Sequence, residues 1–404
     1  MSEATGAESK PTTGGPLEVL AVFLRLGLTA FGGPIAHLGY FREEFVARRR
    51  WLNEAAYADL VALCQFLPGP SSSQVGFGIG LLRAGPLGAL AAWAGFTLPS
   101  AILMTAFAFG AAAMGGPIAQ GAIHGLKLVA VAVVAHAVFG MAKTLTPDAR
   151  RAGIAVGAVA IVTLAPAMMG QIAAIGFGAL AGFILCRGTS DSEPAGALWR
   201  ISPKVGIVAL AAYLLLIVGA PVLAASTGDP TIARFSAFYR SGALVFGGGH
   251  VVLPLLERAV VDPGWVSPGA FLAGYGAAQA MPGPLFTFAA YLGAAAYGPP
   301  NRVAGAALGL FAVFLPGLLV LLAALPFWSQ LRSRPAAQAT MRGANAAVVG
   351  LLAVALYNPV WISAVLDPID FACVLSGFAL LTAFKAQPVV LVILGLAAGV
   401  ARAV

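Results

Sequence analysis

The chain has 404 residues, of which 60% are hydrophobic and 9% are charged, whereas a soluble globular domain carries roughly 25% charged residues. This composition excludes an ordinary soluble domain and indicates a polytopic membrane protein. Apolar runs with roughly the 17–25 residues that span a bilayer recur from Leu17 to Val404. The net charge of +8 does not indicate nucleic acid, since the cations are scattered over short loops as the positive-inside rule expects.

The apolar segments form two sets separated by a polar linker. A polar N-terminal tail covers 1–16, a first repeat 17–187, a linker 188–204, and a second repeat with one additional segment 205–404. The tail lacks the basic start of a secretory signal peptide. We predict an all-α fold with thirteen membrane segments, at 17–41, 55–82, 84–113, 121–145, 150–167, 169–187, 203–225, 232–256, 268–296, 302–328, 340–363, 366–384 and 386–403.

The two sets are copies of one unit, which we infer from motifs that recur in the same order. Arg25 pairs with Arg240 at an offset of 215, and "FGG" at 31–33 pairs with "FGG" at 246–248 at the same offset. Pro68-Gly69-Pro70 matches Pro282-Gly283-Pro284 at an offset of 214. A colinear series of this kind predicts a duplicated unit.

The orientation of the two copies follows from the number of crossings. Segment 203–225 has no counterpart in the first copy, so the second copy is inverted if every segment crosses once, as in many secondary transporters. The charge pattern leaves an alternative open. If every segment crosses once, two basic clusters lie on opposite sides of the membrane: Arg48-Arg49-Arg50 and Arg150-Arg151. The two clusters could share a side only if 55–82 were a re-entrant hairpin, which would make the copies parallel.

Each copy contains two interruptions, "FGG" and "PGP", inside apolar sequence. Non-helical backbone survives at membrane depth only where it is buried in protein or lines a watery cavity. Pro34 and Pro70 each suit the first turn of a new half-helix, whose free N–H groups and positive dipole end attract an anion. The plainer alternative is that these breaks are kinks that allow close helix packing.

The polar residues beside the breaks predict an asymmetric site for a tetrahedral oxyanion. Ser71, Ser72 and Ser73 add hydroxyl donors after the first "PGP", whereas the second copy offers only Thr287. The proposed binding set consists of these serines, the break residues, the two intramembrane arginines, Lys127 and two glutamines that precede the breaks: Arg25, Phe31, Gly32, Gly33, Pro34, Gln65, Pro68, Gly69, Pro70, Ser71, Ser72, Ser73, Lys127, Arg240, Phe246, Gly247, Gly248, Gln279, Pro282, Gly283 and Pro284.

The arginines have a second interpretation, because each lies within one or two turns of a plausible membrane edge and could extend its charge into the interface. In the second copy Asn345 replaces Lys127, which repeats the asymmetry of the serines. His37, His124, His136 and His250 could relay protons, but none recurs in the other copy and packing is the plainer role.

The doubled "FGGP…W…PGP" and "FGGG…W…PGP" pattern, with "GLK" in the first copy and "GANAAVVGLL" and "YNPVW" in the second, resembles the long, two-domain form of the chromate ion transporter family. The similarity runs from about Phe23 to about Trp361. It implies a bacterial inner-membrane protein with two halves in opposite orientation that exports chromate and confers resistance. It also implies sulfate as a competing anion and protons as the coupling ion.

Two other functions are compatible with parts of the sequence. "PGPSSSQ" is similar to a loop of lipid-pyrophosphate phosphatases, but it lacks the arginine that would clamp the phosphate. A passive anion channel could use the same half-helix dipoles. No P-loop is present, and we expect neither a cofactor nor a metal ion. The sequence leaves open whether two chains form a homodimer.

Overall fold

The computed structural model describes residues 14–31, 33–113, 116–165, 167–187, 201–245, 252–328 and 334–403. Within these ranges all regular secondary structure is helical and no strand is present, as predicted. The sixteen α-helices are α1 Pro16–Thr29, α2 Gly33–Arg42, α3 Glu54–Phe66, α4 Ser71–Ala113, α5 Pro117–Leu145, α6 Ala149–Leu164, α7 Ala167–Leu185, α8 Pro203–Thr227, α9 Pro230–Ala243, α10 Val252–Val260, α11 Pro268–Ala278, α12 Phe288–Tyr297, α13 Arg302–Ala324, α14 Pro335–Ala355, α15 Pro368–Thr382 and α16 Pro388–Ala403.

Four of the thirteen predicted segments do not form one continuous helix. Each of them contains two helical arms with a break between them. The breaks separate α1 from α2, α3 from α4, α9 from α10 and α11 from α12. α1 has 14 residues, which corresponds to about 21 Å and falls short of the ~30 Å hydrocarbon core. These short helices therefore reach only part of the way through a bilayer.

In the first copy each pair forms a hairpin that returns to the end from which it started. Glu18 at the start of α1 lies 3.9 Å from the guanidinium of Arg49 beyond α2. Arg83, close to where the first arm of α4 ends, contacts Glu18 at 3.1 Å and covers the ring of Trp51 at 4.8 Å. We call this region, defined by Glu18, Arg49, Trp51 and Arg83, the Trp51 end of the molecule.

The second copy repeats this arrangement at a different end. Arg234, near the start of α9, lies 5.4 Å from the ring of Trp265 and 4.5 Å from that of Tyr297, the last residue of α12. The hydroxyl of Tyr291 donates to the Ala270 carbonyl at 2.9 Å, so α11 and α12 run side by side in opposite directions. Arg234, Trp265 and Tyr297 define the Trp265 end.

Longer helices connect the two ends. α4 contains one break in its helical backbone, at Ala84 and Gly85 (φ +64°), where the chain turns back so that Gly80 and Gly88 meet. Its second arm reaches the Trp265 end, where Phe109 lies 5.3 Å from the Arg302 guanidinium. The chain then continues through α5, α6 and α7. Among the described residues, five helices are long and apolar enough to span a membrane.

The outer helices of each copy pack against outer helices of the other copy. A Cβ on Gly125 of α5 would lie 2.0 Å from the Gly395 carbonyl oxygen of α16, and a Cβ on Gly343 of α14 would lie 2.0 Å from that of Gly178 in α7. Gly125 and Gly343 are 218 residues apart, and Gly178 and Gly395 are 217 apart. The same close glycine contact is thus made twice, each time between different copies.

α8 is the additional segment that the sequence predicts. It has 25 residues, and only 6% of its most apolar window is buried inside the protein. Its exposed apolar side chains include Val208, Leu215 and Val222. Such a surface fits hydrocarbon rather than water, so α8 lies at the lipid-facing periphery.

Candidate functional site at the crossing of four helix breaks

The breaks of one copy are bonded to the breaks of the other. The N–H of Gly69, in the first "PGP", donates to the carbonyl of Val245 at 2.7 Å. The N–H of Gly283, in the second "PGP", donates to the carbonyl of Ala30 at 2.9 Å. Ala30 and Val245 are 215 residues apart and each directly precedes an "FGG" motif. We call this pair of reciprocal bonds the crossing.

Glycine is required at the crossing for two reasons. Gly69 has φ +123° and Gly283 has φ +85°, conformations that residues with a Cβ rarely adopt. A Cβ at Gly69 would also lie 2.7 Å from Gly317 Cα, and one at Gly283 would lie 3.0 Å from the Phe96 carbonyl oxygen. The prolines that flank each glycine limit the local backbone further.

The first "PGP" starts a half-helix, as predicted. α4 begins at Ser71, and the first N–H to bond back within it is that of Gln74, which reaches the Pro70 carbonyl at 2.9 Å. The N–H groups of Ser71, Ser72 and Ser73 consequently have no partner inside the helix. This end of α4 carries the positive end of the helix dipole.

The three serines differ in their surroundings. Ser71 is half-buried. Ser72 is buried and its hydroxyl lies 3.4 Å from His37 Nδ1. Ser73 is buried, and its hydroxyl makes no hydrogen bond to any residue that the structure describes. A buried hydroxyl without a partner is costly, so Ser73 is a donor that a ligand would satisfy.

The second "PGP" lacks such a donor. Thr287, which aligns with Ser73, donates to the Pro284 carbonyl at 2.8 Å and is also hydrogen-bonded to the Ser100 hydroxyl. Its helical turn, Leu285–Thr287, is a short 3-10 helix instead of the start of an α-helix. The two breaks therefore share their backbone path but differ in the donors that they leave free.

Gln74 is a site residue that the sequence analysis missed. Its amide nitrogen donates to the Gly317 carbonyl at 2.8 Å and to the Pro68 carbonyl at 3.0 Å, which fixes the first "PGP" against α13. Its position directly after the serines was the available signal. The predicted glutamine of this copy, Gln65, is exposed on α3 and makes no hydrogen bond to a described residue.

The remaining predicted polar residues differ in how deeply they are buried. Arg25 is exposed on α1, whereas Arg240 is half-buried on α9 and its Nε has no hydrogen-bond partner among the residues described. Gln279 Nε2 is also buried without such a partner. Lys127 lies apart on α5, where its ammonium faces Gly269, whose Cβ would come within 2.9 Å of it.

Several predicted residues complete the loops, and others lie outside the described ranges. Phe31 and Pro34 are half-buried, Gly33 has φ +78° and begins α2, and Pro70, Pro282 and Pro284 are buried. Gly32, Phe246, Gly247 and Gly248 lie outside the described residues, as do most of the predicted N-terminal tail and linker.

Nothing in the described part of the chain groups three or more histidine, cysteine or acidic side chains in a way that could hold a metal ion. Arg83, the nearest arginine along the chain to "PGPSSSQ", pairs with Glu18 at the Trp51 end and does not reach the loop. Arg83 therefore does not supply the clamp that phosphatase chemistry needs.

Interrupted helices that meet inside an all-helical membrane protein, with free helix N-termini and unpaired donors at the breaks, define a membrane transporter built on broken helices. The sequence profile of the chromate transporter family matches the chain twice, at residues 17–183 and 232–400. The chain belongs to the chromate transporter family.

Similar proteins span nearly the same length. The chain is 28% identical to a protein of Pseudomonas aeruginosa named chromate transport protein, covering 99% of this chain and 95% of that protein. It is 26% identical to the chromate transport protein of Cupriavidus metallidurans, covering 83% and 80%. A probable chromate transport protein of Synechococcus elongatus is also 26% identical, over 82% and 81%. No solved structure matches the chain.

Proposed function

We propose that this protein exports chromate from the bacterial cytoplasm across the inner membrane, coupled to protons, and that it thereby gives chromate resistance. The observation that carries the proposal is the free Ser73 hydroxyl at the start of α4, beside a helix N-terminus fixed by the crossing. Hydroxyl and N–H donors with a positive dipole suit a tetrahedral dianion. Family membership supports chromate as that anion.

The orientation in the membrane is inferred from the charges at the two ends. The Trp51 end carries Arg42, Arg48, Arg49, Arg50, Arg83, Lys143, Arg150, Arg151, Arg187, Lys204, Arg334, Arg342 and Lys385, whereas the Trp265 end carries Arg234, Arg258, Arg302 and Arg402. Cytoplasmic loops are rich in lysine and arginine. We infer that the Trp51 end is cytoplasmic.

This assignment also bears on how the copies are related. In the first copy, segments 17–41 and 55–82 both turn back to the Trp51 end. The two basic clusters, Arg48-Arg49-Arg50 and Arg150-Arg151, therefore share that end. Among the described residues, α8 is the one helix between the end of the first copy and the start of the second. Two re-entrant hairpins per copy leave an even number of crossings, so the single crossing of α8 inverts the second copy. The alternative of parallel copies assumed that only 55–82 was re-entrant.

Inverted copies supply a mechanism for alternating access. Equivalent hairpins open toward opposite ends and are bonded to each other at the crossing, so rocking one copy against the other would expose the site to each side in turn. Because the free N–H groups at the start of α4 and the Ser73 hydroxyl belong to the first copy, we expect that copy to contribute most to holding the anion. Protonation of a titratable group that faces the site would provide the coupling.

The direct test is flux in inverted membrane vesicles or proteoliposomes of known orientation. Chromate should accumulate against its gradient when a pH gradient is imposed, and excess sulfate should compete. Dissipating the pH gradient with a protonophore should abolish accumulation. Chromate movement that only follows its own gradient would indicate a channel, and uptake of sulfate without chromate would assign the site to another oxyanion.

A further inference from the structure

A cavity of about 440 Å³ lies at the Trp51 end, away from the crossing. It is formed where α6 begins, where α7 ends and where α14 passes both. Its charged lining consists of Arg150, Arg151, Arg187, Arg342 and a single acid, Asp148. This volume falls within the roughly 300–1,000 Å³ of small-molecule sites.

The one carboxylate is already neutralised. Asp148 accepts from the Arg151 guanidinium at 2.6 Å and caps α6 by accepting from the Arg151 N–H at 3.0 Å. These bonds hold the pKa of Asp148 below its ordinary value, so it is ionised at neutral pH and balances only Arg151. Three guanidinium groups remain without an acidic partner in the cavity lining.

Part of that positive charge has a structural role. Arg150 donates to the Leu185 carbonyl at 3.1 Å and Arg342 to the Cys186 carbonyl at 3.2 Å, so both cap the C-terminal end of α7. Arg187 donates to the Phe183 carbonyl at 2.9 Å through Nε. Each guanidinium has five N–H donors in a planar fork, so these bonds leave most of the donors available.

The equivalent place in the other copy shows that the fold does not require this charge. Arg150 corresponds to Asp367 and Arg342 to His124, and the counterpart at the Trp265 end is closed by ion pairs. There Arg402 contacts both Asp367 and Asp370, and His124 Nε2 lies 2.8 Å from Asp370. The same packing motif thus carries carboxylates paired with Arg402 and His124 at one end and excess positive charge at the other.

We propose that the arginine cavity is a binding site for a phosphate-type anion, distinct from the transport site. A basic cavity between the cytoplasmic ends of membrane helices suits the phosphate of an anionic lipid headgroup. A free tetrahedral oxyanion has the same chemistry and could occupy the same arginines. The two sources are separable because only one of them requires lipid.

The test compares Arg150→Gln, Arg187→Gln and the double variant with a matched control, Arg334→Gln, which removes an exposed arginine at the same end outside the cavity lining. In one arm, native mass spectrometry counts phosphatidylglycerol retained from mixed micelles with phosphatidylcholine. In the other, melting temperature is followed against inorganic phosphate in lipid-free detergent. Both arms measure binding, so they do not depend on transport.

Each neutralised arginine should weaken binding about fivefold, and the double variant about 25-fold, while Arg334→Gln binds like the parent. Selective loss of phosphatidylglycerol identifies a lipid headgroup, and selective loss of phosphate stabilisation identifies a free oxyanion. Unchanged binding in both arms for the double variant would overturn the proposal. If Arg150→Gln unfolds because the end of α7 loses its cap, Arg187→Gln alone carries the test.

Discussion

The N–H of Gly69 donates to the carbonyl of Val245, 176 residues further along the chain, at 2.7 Å. The reciprocal bond, from Gly283 to Ala30, is made at 2.9 Å by the equivalent atoms of the other copy. Each copy therefore fixes the break that the other copy uses. Neither break is complete within its own half of the sequence.

Alanine at the crossing should disrupt the protein. Gly69→Ala and Gly283→Ala each place a Cβ at a positive φ, which costs about 1–2 kcal/mol, and add the contacts with Gly317 and Phe96. We expect a clear fall in melting temperature in detergent and loss of chromate transport. Gly140→Ala is the control, since it lies in α5 with open space around it. Equal stability of all three variants would show that the crossing does not constrain the glycines.

The intramembrane arginines should be required for transport. Arg25→Ala or Arg240→Ala should strongly reduce chromate flux while the protein remains in the membrane at normal levels. Arg→Lys should restore only part of the flux, because lysine lacks the planar fork of donors. Arg302→Ala at the Trp265 end is a suitable control, since its guanidinium lies over Phe109 away from the breaks. Normal flux in both alanine variants would assign the arginines to the interface.

Cysteine labelling should reveal the inverted arrangement. In a variant without Cys64, Cys186 and Cys373, single cysteines at Arg50 and Thr146 should react with an impermeant thiol reagent from the same side. A cysteine at Asp262 should react from the opposite side. Labelling of the cysteines at positions 50 and 146 from different sides would contradict the two re-entrant hairpins of the first copy.

A buried ion pair should matter more than an exposed one. Asp370 is buried and is paired with His124 and Arg402, so Asp370→Asn should destabilise the protein by about 3–5 kcal/mol. Glu54→Gln removes an exposed pair with Arg42 and should cost only about 0–1 kcal/mol. Chemical denaturation in the same detergent measures both. If Asp370→Asn lowers the free energy of unfolding no more than Glu54→Gln does, the buried ion pairs of Asp370 do not stabilise the fold.

The sequence predicts the breaks well because their cause is local. Proline removes a backbone donor and glycine permits a positive φ wherever they occur. The interruptions at "FGG" and "PGP" can therefore be predicted without tertiary information. The α-helical class and the additional segment α8 follow from apolar run length in the same way.

Tertiary partners could not be predicted in this way. A hairpin of two short helices has about as many apolar residues as one membrane span, so the length of 17–41 does not distinguish the two. Gln74 acts through the Gly317 carbonyl, 243 residues away, and the two bonds of the crossing join residues that are 176 and 253 positions apart. The pairing of His124 with Asp370 cannot be predicted from local sequence, because the two residues are 246 positions apart.

The central claim is that the anion binds at the start of α4, and equilibrium binding of chromate to purified serine variants tests it most directly. Losing a hydrogen bond to a charged partner costs about 1.5–3 kcal/mol, so Ser73→Ala should weaken chromate binding roughly ten- to a hundredfold. Ser71→Ala and Ser72→Ala, measured in parallel, report on the neighbouring hydroxyls. Thr287→Val should have little effect, because the Thr287 hydroxyl is already bonded to Pro284 and Ser100. Unchanged affinity in all three serine variants, with normal folding, would contradict the account and place the anion elsewhere.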